Sequence, residues 1–395
     1  MSNRIGLSAG SPRLPGESPR VNVGYRVRFV STRQPVAAGS PVVVKIGSSS
    51  LSAPGGGVDP DAIAHIATQI ESLWSSGHRC VLVTSGAVAA GLPAMGRTER
   101  PTDLPGLQVA AAVGQSRLME LYGSEFGSRG RLVAQILITR DVLARRDQYL
   151  HAREALERML ALEVLPIVNE NDTVVVDELR LGDNDRLAAI VSHLIGAGML
   201  VLLSDTPGLY TEDPWYSDEP ELLKAVSHTD QVLDSISGDR PGSLGSGGVA
   251  TKVAAARMAA WSGIPTVIAP ASEPNAAAMA VAGEEIGTWV EPHESGLSAR
   301  KLWIGFGLPT RGELVIDRGA ATALVDGGKS LLPVGIVDVR GEFEQGMAVR
   351  VTCEEQLIAK GLVRMSALEI QEARGQHSSV VGGAAVHRDD LVVLT

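Results

Sequence analysis

The sequence has few aromatic residues, two cysteines and no long apolar run. Phe, Trp and Tyr account for 4% of the 395 residues, whereas glycine occurs 44 times, which favours an α/β protein packed with Ala, Val and Leu over an aromatic-rich binding module. Cys80 and Cys353 are far apart in apolar or strand-like segments, which argues against a disulfide framework and fits a reducing compartment. No apolar run approaches the ~20 residues that span a bilayer, so we expect a soluble, cytoplasmic protein.

The sequence also has fewer basic than acidic residues, 35 against 45. The formal net charge of −10 argues against nonspecific binding of nucleic acid through its phosphates, although a local site can be positive on an acidic protein. Hydrophobic residues make up 44% and charged residues 20% of the chain, as in ordinary globular proteins. The length of the chain predicts two domains.

Composition divides the chain into three parts. Residues 1–40 contain six arginines and one acid and are predicted to be a disordered extension. In residues 41–308, strands alternate with helical patterns, which predicts an α/β domain with a mainly parallel sheet between helices. Residues 309–385 have short β-like segments between Gly-rich turns and are predicted to form a small, mostly β domain. The segment after Gly375 has no assignment.

Apolar periodicity predicts the individual elements of the α/β domain. The predicted strands are residues 42–46, 80–84, 132–138, 164–168, 199–203 and 266–269, and the predicted helices are residues 60–76, 152–162, 187–194 and 251–262. Ligands of parallel sheets bind beyond the carboxyl ends of the strands. The loops after the strands are therefore where functional residues are expected.

Two strand-end loops are rich in glycine and serine. In K-I-G-S-S-S, Lys45 lies inside a buried strand and needs an anionic partner or ligand, and the N–H groups after it suit a phosphate. The alternative is a lysine at a sheet edge. In T-S-G-A, Ser85 precedes an alanine-rich helix whose first N–H groups suit a carboxylate or phosphate, with plain helix capping as the alternative. A nucleophile elbow is disfavoured because Val83 replaces its glycine.

Acids and amides cluster after the fourth predicted strand. N-E-N-D at residues 169–172 and G-D-N-D at residues 182–185 could hold a metal, an ammonium group or lysines. The spacing is not that of an EF-hand. A solvated turn with a helix N-cap at Asp185 is the alternative reading.

Two later loops also carry small and polar residues. S-D-T-P-G-L-Y starts at Ser204, and G-S-G-G-V-A-T-K ends at Lys252. The second loop is neither a dinucleotide fingerprint, because no strand precedes it, nor a Walker A loop, because Thr251 precedes the lysine. Flexible glycines before a helix that carries Lys252 suit closure over phosphates, and a surface loop is the alternative.

Together and in this order, these segments resemble the amino acid kinase family. The resemblance covers about residues 41–308, through V-V-K-I-G-S, V-T-S-G-A-V, A-A-V-G-Q-S, N-E-N-D, G-D-N-D, L-L-S-D-T-P-G-L-Y and S-G-G-V-A-T-K. It implies the amino acid kinase fold for this part of the chain. The later residues resemble a PUA domain, through I-D-R-G-A from Ile316, S-L-L from Ser330 and G-E-F from Gly341.

The resemblance is strongest to members that phosphorylate glutamate. It implies transfer of the γ-phosphoryl group of ATP to the side-chain carboxylate of L-glutamate, giving glutamyl 5-phosphate in the first step of proline biosynthesis. A carboxylate with a pKa of about 4.3 needs no general base at neutral pH, which agrees with the absence of histidine from these segments. The reaction needs charge neutralisation instead. The resemblance implies that Lys45 and Lys252 stabilise the transferring group and that Asp185 holds these lysines.

The resemblance also implies the substrate contacts. Ser85, Asp172 and Asn184 would surround glutamate, with Asp172 pairing with its α-ammonium group and Asn184 either donating to a carboxylate or accepting from the ammonium. Mg²⁺ would be held mainly by ATP oxygens and water, with no protein metal site. ATP would contact Lys45, Gly47, Ser48, Ser204, Asp205, Ser246, Gly247, Gly248, Val249, Ala250, Thr251 and Lys252.

The resemblance further implies partners, and two alternatives remain open. The implied partners are further copies of the chain, proline as a feedback inhibitor at or overlapping the glutamate site, and a downstream reductase for the labile glutamyl phosphate. One alternative is another small-molecule kinase of the same family. The other is an RNA-binding protein that uses the PUA domain. Residues 311–375 contain eight basic and ten acidic side chains, and their net charge of −2 suits RNA poorly.

Overall fold

The computed structural model describes residues 33–143, 145–174, 184–212, 217, 220–236, 248–294, 296–376 and 383–394. The strands are Pro41–Ile46 (β1), Arg79–Val83 (β2), Val133–Ile138 (β3), Leu165–Glu170 (β4), Met199–Ser204 (β5), Ala225–Ser227 (β6), Thr266–Pro270 (β7), Thr288–Glu291 (β8), Thr310–Ile316 (β9), Ile336–Gly341 (β10), Ala348–Cys353 (β11), Gln356–Val363 (β12) and Val386–Val393 (β13). The α-helices are Ser48–Leu51 (α1), Pro60–Ser75 (α2), Ala87–Ala94 (α3), Leu104–Ser128 (α4), Arg146–Ala161 (α5), Asn184–Ile195 (α6), Val232–Ile236 (α7), Val249–Trp261 (α8), Ala276–Val281 (α9), Ala299–Leu302 (α10), Arg318–Val325 (α11) and Ala367–Ala373 (α12). Within these ranges, no helix combines the length and the apolar character needed to cross a membrane.

An eight-stranded sheet forms the centre of the larger domain. Its order is β3-β4-β2-β1-β5-β7-β8-β6, and every neighbouring pair is parallel except β7 and β8. Alternate residues of β1 enter different cores, because Val43 packs on one face of the sheet while Val42 and Val44 pack on the other. Burial on both faces explains why these strands read as continuous apolar runs. The predicted α/β architecture with a mainly parallel sheet is confirmed.

The helix α2 begins where the sequence predicts it. The side chain of Asp59 accepts a hydrogen bond from the N–H of Asp61, and Pro60 occupies the first helical position, where its missing N–H costs nothing. Ile63 and Ile66 are buried with the rest of the predicted apolar stripe. The period of about 3.6 residues therefore placed this helix correctly against the sheet.

The helix α4 was not predicted, although it is the longest described helix. Its Asp103 cap and its buried Tyr122 and Phe126 are ordinary helix features. However, Val109 and Val113 are exposed on its other side, so its apolar residues do not form a single stripe. Its contact with α3 also depends on small residues, which a pattern of large apolar side chains does not reveal.

The helices α3 and α4 cross in close contact at two glycines. A Cβ atom on Gly114 would lie 1.7 Å from the backbone oxygen of Ala87, and one on Gly91 would lie 2.0 Å from that of Ala110. Neither position can carry a side chain without separating the helices. This contact holds α4 against the start of α3, directly after the Ser85 loop.

The smaller domain is a five-stranded sheet with the order β10-β9-β11-β12-β13. The strands β9 and β11 are parallel, and the other neighbouring pairs are antiparallel. A separate apolar core contains Leu314, Val351 and Ile370. The predicted mostly β domain is confirmed, and the segment without an assignment after Gly375 contains its last strand.

Buried contacts join the two domains. A π-helical turn, Trp303–Gly307, follows α10, and the ammonium group of Lys360 on β12 donates hydrogen bonds to the carbonyl oxygens of Gly305 and Leu308. Burial lowers the pKa of Lys360 to about 8, and the positive charge of Arg186 adds to this effect. Leu394 packs against the core of the larger domain. These contacts fix the smaller domain close to α6.

Residues 33–40 lie against the larger domain. The guanidinium group of Arg33 donates to the carbonyl oxygens of Lys224, Glu284, Ile286 and Gly287 at distances of 2.6–3.0 Å. This end of the predicted disordered extension therefore makes ordered contacts, because one side chain satisfies several loop carbonyls. The domain boundaries at residues 40, 308 and 385 stay a prediction.

We expect Gly114→Ala to destabilise the protein strongly, because the added methyl group must displace the backbone of α3. The cost should reach at least the about 1–3 kcal/mol that is typical of an overpacked core. Gly123→Ala is the matched control, since Gly123 lies in the same helix with nothing within 4 Å of an added Cβ. That variant should be neutral or more stable by about 0.5–1 kcal/mol. Urea unfolding measures both, and equal midpoints would contradict the close crossing.

Candidate active site

Four neighbouring strands bring the predicted functional loops to one edge of the sheet. In the order β4-β2-β1-β5, these strands end beside Asp172, Ser85, Gly47 and Ser204, respectively. Because the strands are parallel, their carboxyl ends meet at the same edge. The strand order thus places the acid and amide loop on one side of Lys45 and the Ser204 loop on the other.

Two predicted lysines converge on one buried carboxylate. The Nζ atom of Lys45 lies 2.5 Å from Oδ1 of Asp185, and both side chains are almost fully buried. The hydroxyl group of Thr251 donates to Oδ2 of Asp185 at 2.7 Å. Lys252 is 8% exposed, and its positive charge acts on the same carboxylate. Elements distant in the chain, β1, α6 and the start of α8, therefore meet at Asp185.

The environment keeps Asp185 ionised. Burial is the largest influence and raises the pKa of this carboxyl, but the charges of Lys45 and Lys252 and the hydrogen bonds from Lys45 and Thr251 together outweigh it. The pKa of Asp185 consequently lies below its ordinary value. Two ammonium groups and one carboxylate leave this cluster with one net positive charge, which suits a polyanion.

The loop after β1 lies directly against this cluster. A Cβ atom on Gly47 would be 3.6 Å from Nζ of Lys45, so the backbone passes close to the ammonium group. Ser48 begins the short helix α1. The predicted phosphate contacts of Gly47 and Ser48 thus fall next to Lys45, where their backbone N–H groups and its charge would act on one ligand.

The start of α8 supplies further predicted ATP contacts. Gly248 is the N-cap residue and has no side chain to cap the helix, and the exposed residues Val249 and Ala250 follow it. Unpaired N–H groups and the helix dipole favour an anion at such an end. Ser246 and Gly247 lie outside the described residues, as do Gly182 and Asp183 of the G-D-N-D segment.

A network of amides lies on the other side of Lys45. The Nδ2 atom of Asn184 donates to the carbonyl oxygen of Thr84 at 2.6 Å, to the hydroxyl oxygen of Ser85 at 3.0 Å and to Oδ1 of Asn169 at 2.7 Å. Gly86 turns this loop into α3 with a φ of 96°, a left-handed conformation that favours glycine. The structure thus brings Ser85 and Asn184, two of the predicted glutamate residues, into direct contact.

A cavity of about 230 Å³ opens beside this network. Its polar lining includes Gln115, Glu170, Asn171 and Asp172. The cavity is bounded by the start of α3, by α4 and by the carboxyl ends of β3 and β4. A larger cavity of about 320 Å³ lies at the opposite ends of the strands, near Trp289, away from the lysines.

The predicted nucleotide residues after β5 form a hydrogen-bonded turn. The hydroxyl group of Ser204 donates to Oδ1 of Asp205 at 3.2 Å and lies 3.1 Å from the hydroxyl oxygen of Thr206. Ser204 is buried, whereas Asp205 is exposed. The turn lies next to β1 in the sheet, so both loops border one space above the strand ends.

The amides Asn169 and Gln115 were missed as site residues. Both belong to segments that carry the family resemblance, N-E-N-D and A-A-V-G-Q-S, and that was the available signal. Thr251 was predicted to contact ATP, and the structure shows that its hydroxyl group also binds Asp185. The assigned roles of all these residues remain predictions.

Comparisons with known proteins agree with this geometry. The family model described as the amino acid kinase family matches residues 40–270, and the PUA domain model matches residues 312–381. The glutamate 5-kinase of Ectopseudomonas mendocina (strain ymp) is 45% identical over 361 residues, which cover 89% of this chain and 97% of that protein. The glutamate 5-kinase of Marinomonas sp. (strain MWYL1) is 43% identical over 371 residues, covering 92% and 99%.

A solved UMP kinase from Bacillus anthracis is also similar. It aligns with a TM-score of 0.46 at 15% identity and covers 65% of this chain and 97% of that chain. The family models and the curated relatives are the stronger matches. The chain belongs to the amino acid kinase family, in its glutamate 5-kinase branch, and it carries a C-terminal PUA domain.

We expect Lys252→Ala and Lys45→Ala to lower kcat by about 10³-fold or more, because each removes a charge that can act on the transferring phosphoryl group. Lys45→Ala should also lower the melting temperature, since it strands the buried carboxylate of Asp185. Lys224→Ala, at a largely exposed lysine, is the control and should leave both unchanged. A steady-state kinase assay and thermal melts measure these effects, and near-normal turnover of Lys252→Ala would disprove its role.

Proposed function

We propose that the chain transfers the γ-phosphoryl group of ATP to the side-chain carboxylate of L-glutamate, giving glutamyl 5-phosphate. The observation that carries this proposal is the convergence of Lys45 and Lys252 on Asp185, beside a cavity lined by Asp172 and Gln115. The names of the similar proteins support glutamate as the substrate. The reaction is the first step of proline biosynthesis.

Electrostatics explains how such a site performs this transfer. The attacking carboxylate is an anion at neutral pH, so the obstacle is its repulsion by the phosphates and not the removal of a proton. Lys45 and Lys252 neutralise the charge that is shared between the two reactants. Asp185 keeps both ammonium groups in place, and its lowered pKa keeps it ionised while it does so.

The two substrates approach from opposite sides of β1. Glutamate binds on the side of Asp172 and Asn184, where an anionic carboxylate and an amide oxygen suit its α-ammonium group. ATP binds on the side of Ser204 and the start of α8, with its phosphates along Gly47. The side-chain carboxylate of glutamate then faces the γ-phosphate in front of Lys45.

Magnesium enters this proposal with ATP. Asp185 is the buried acid of the phosphate region, and both of its oxygens already bind Lys45 and Thr251. Within the described residues there is also no cluster of three or more His, Cys, Asp or Glu side chains that could hold a metal ion. The donor set therefore fits an ion held mainly by ATP oxygens and water.

Further elements of the proposal follow from the product and the family. An acyl phosphate hydrolyses readily, so a reductase that consumes it should act downstream, and both reactions belong in the cytoplasm. Proline, as the end product, would inhibit by occupying the glutamate cavity in whole or in part. Both ligands carry a carboxylate and an ammonium group, which the amides and Asp172 can bind.

We expect the protein to convert glutamate, MgATP and hydroxylamine into glutamyl hydroxamate, because hydroxylamine traps the acyl phosphate. Aspartate, N-acetylglutamate and UMP should be poor acceptors in a coupled ADP assay. Added proline should raise the apparent KM for glutamate and leave the KM for ATP unchanged. Faster turnover with any of the other acceptors would replace glutamate in this proposal.

A homo-oligomer is also proposed, on the basis of an apolar strip at the edge of the sheet. Val109 and Val113 of α4, Leu137 of the edge strand β3 and the adjacent Leu132 are all more than one-third exposed. An open strand edge can pair with another chain, and a contiguous exposed apolar patch marks a surface for interaction. We expect sedimentation equilibrium to show an oligomer that Leu132→Asp weakens, and a monomeric wild-type protein would contradict this proposal.

A further inference from the structure

A chain of buried amides leads from the cavity near Asp172 to Asn184. Asn184 donates from Nδ2 to Oδ1 of Asn169 at 2.7 Å, and Asn169 donates from Nδ2 to Oε1 of Gln115 at 2.8 Å. Gln115 in turn donates from Nε2 to Oε1 of Gln135 at 3.3 Å. Asn184, Asn169 and Gln115 are each less than a tenth exposed, and Gln135 lies at the exposed end of the chain.

Backbone groups fix the direction of these hydrogen bonds. The carbonyl oxygen of Thr84 can only accept, so the atom of Asn184 that lies 2.6 Å from it must be the nitrogen. The N–H of Glu170 can only donate, so the atom of Asn169 at 2.9 Å from it must be the oxygen. The oxygen of Asn169 therefore faces Glu170 and Asn184, and its nitrogen points the other way. That nitrogen needs an acceptor, which Oε1 of Gln115 provides.

Because the nitrogen of Asn184 faces protein acceptors, its oxygen is left to bind a ligand. Oδ1 of Asn184 is buried and has no hydrogen-bond partner among the described residues. An unsatisfied buried acceptor costs about 1–3 kcal/mol, so the site is arranged for a donor that arrives with the ligand. The two hydrogens of the nitrogen are already shared among acceptors on Thr84, Ser85 and Asn169. Asn184 thus offers an acceptor, which suits an ammonium group and not a carboxylate.

We propose that Gln115 is a positioning residue that, through Asn169, holds the amide oxygen of Asn184 towards the ammonium group of the substrate. The proposal rests on the proposed function in taking an amino acid as the substrate. The fold supports it, because Gly114, the residue before Gln115, packs against the backbone of Ala87 and so sets the height of α4. Gln115 consequently reaches Asn169 from a helix that cannot shift along α3.

Gln115→Met is the test, since methionine keeps the length of the side chain and removes its hydrogen bonds. Asn169 then loses the acceptor of its nitrogen, so only the N–H of Glu170 still holds its amide, and its oxygen is held less firmly against Nδ2 of Asn184. We expect the KM for glutamate to rise about tenfold, with the KM for ATP unchanged, as the loss of one buried hydrogen bond predicts. Glutarate is the same dicarboxylate without the amine. The ratio of kcat/KM for glutamate to kcat/KM for glutarate should also fall about tenfold.

Gln69→Met is the matched control for the loss of a buried glutamine. Gln69 of α2 accepts a hydrogen bond from the N–H of Ala277 at 3.0 Å and donates to the carbonyl oxygen of Glu273 at 3.3 Å, without contact to the amide chain. This variant should lower the melting temperature and keep the glutamate-to-glutarate preference of the wild type. Gln115→Ala, which also deletes the acceptor, serves as a second variant if Gln115→Met does not fold.

The possible results separate the two claims. A folded Gln115 variant with the wild-type preference for glutamate over glutarate, from a wild type that is active on glutamate, would overturn the positioning role. A fall in preference in Gln69→Met as large as in Gln115→Met would also overturn it, because general loosening would then explain both. A wild-type protein that phosphorylates another acceptor in place of glutamate would reject the proposed function itself.

Discussion

The ionised carboxylate of Asp185 is the constraint on which the rest of the site depends. Lys45 and Lys252 are both more than nine-tenths buried, and two like charges so close together would be costly without an anion between them. Asp185 supplies that anion from the first turn of α6, and the hydroxyl group of Thr251, at the start of α8, donates to the same carboxylate. One negative charge thus joins three elements and leaves the cluster of Lys45, Lys252 and Asp185 with one net positive charge.

In the proposed reaction, the order of the strands lets the two substrates meet at this cluster. The strand β1 lies between β2 and β5, so the lysine cluster separates the amide loops from the Ser204 loop. The close crossing of α3 and α4 then determines which side chains line the amide side. A helix packed through Gly91 and Gly114 brings Gln115 within reach of Asn169, and a helix with larger residues there could not.

Local sequence patterns predicted the parts of this arrangement that are local in origin. Strands buried on both faces read as apolar runs, and a lysine inside such a run, as at Lys45, is costly enough to indicate a charge partner. The apolar pattern did not predict α4, because this helix packs through Gly114 and small neighbours that let two backbones approach closely. A search for large apolar side chains does not detect such a contact. Nor did it predict β13, since a strand is recognised poorly without the sheet that receives it.

The sequence could not predict the direction of the amide hydrogen bonds either, because that direction also depends on contacts between distant parts of the chain. Whether Asn184 offers oxygen or nitrogen to a ligand depends on the carbonyl group of Thr84, a backbone atom from a distant part of the chain. The sequence could name Asn184 and leave both of its roles open. Only the packed fold decides between them, because it sets which backbone groups the amide meets.

The position of Leu394 affects how the protein is made. This residue packs on a core that also contains Val43 of the first strand, yet the ribosome adds it only after nearly the whole PUA domain has been synthesised. The part of the kinase core that Leu394 covers therefore stays exposed until the smaller domain has been translated. A nascent chain that stalls before β13 would expose this surface, and chaperones and proteases recognise such surfaces.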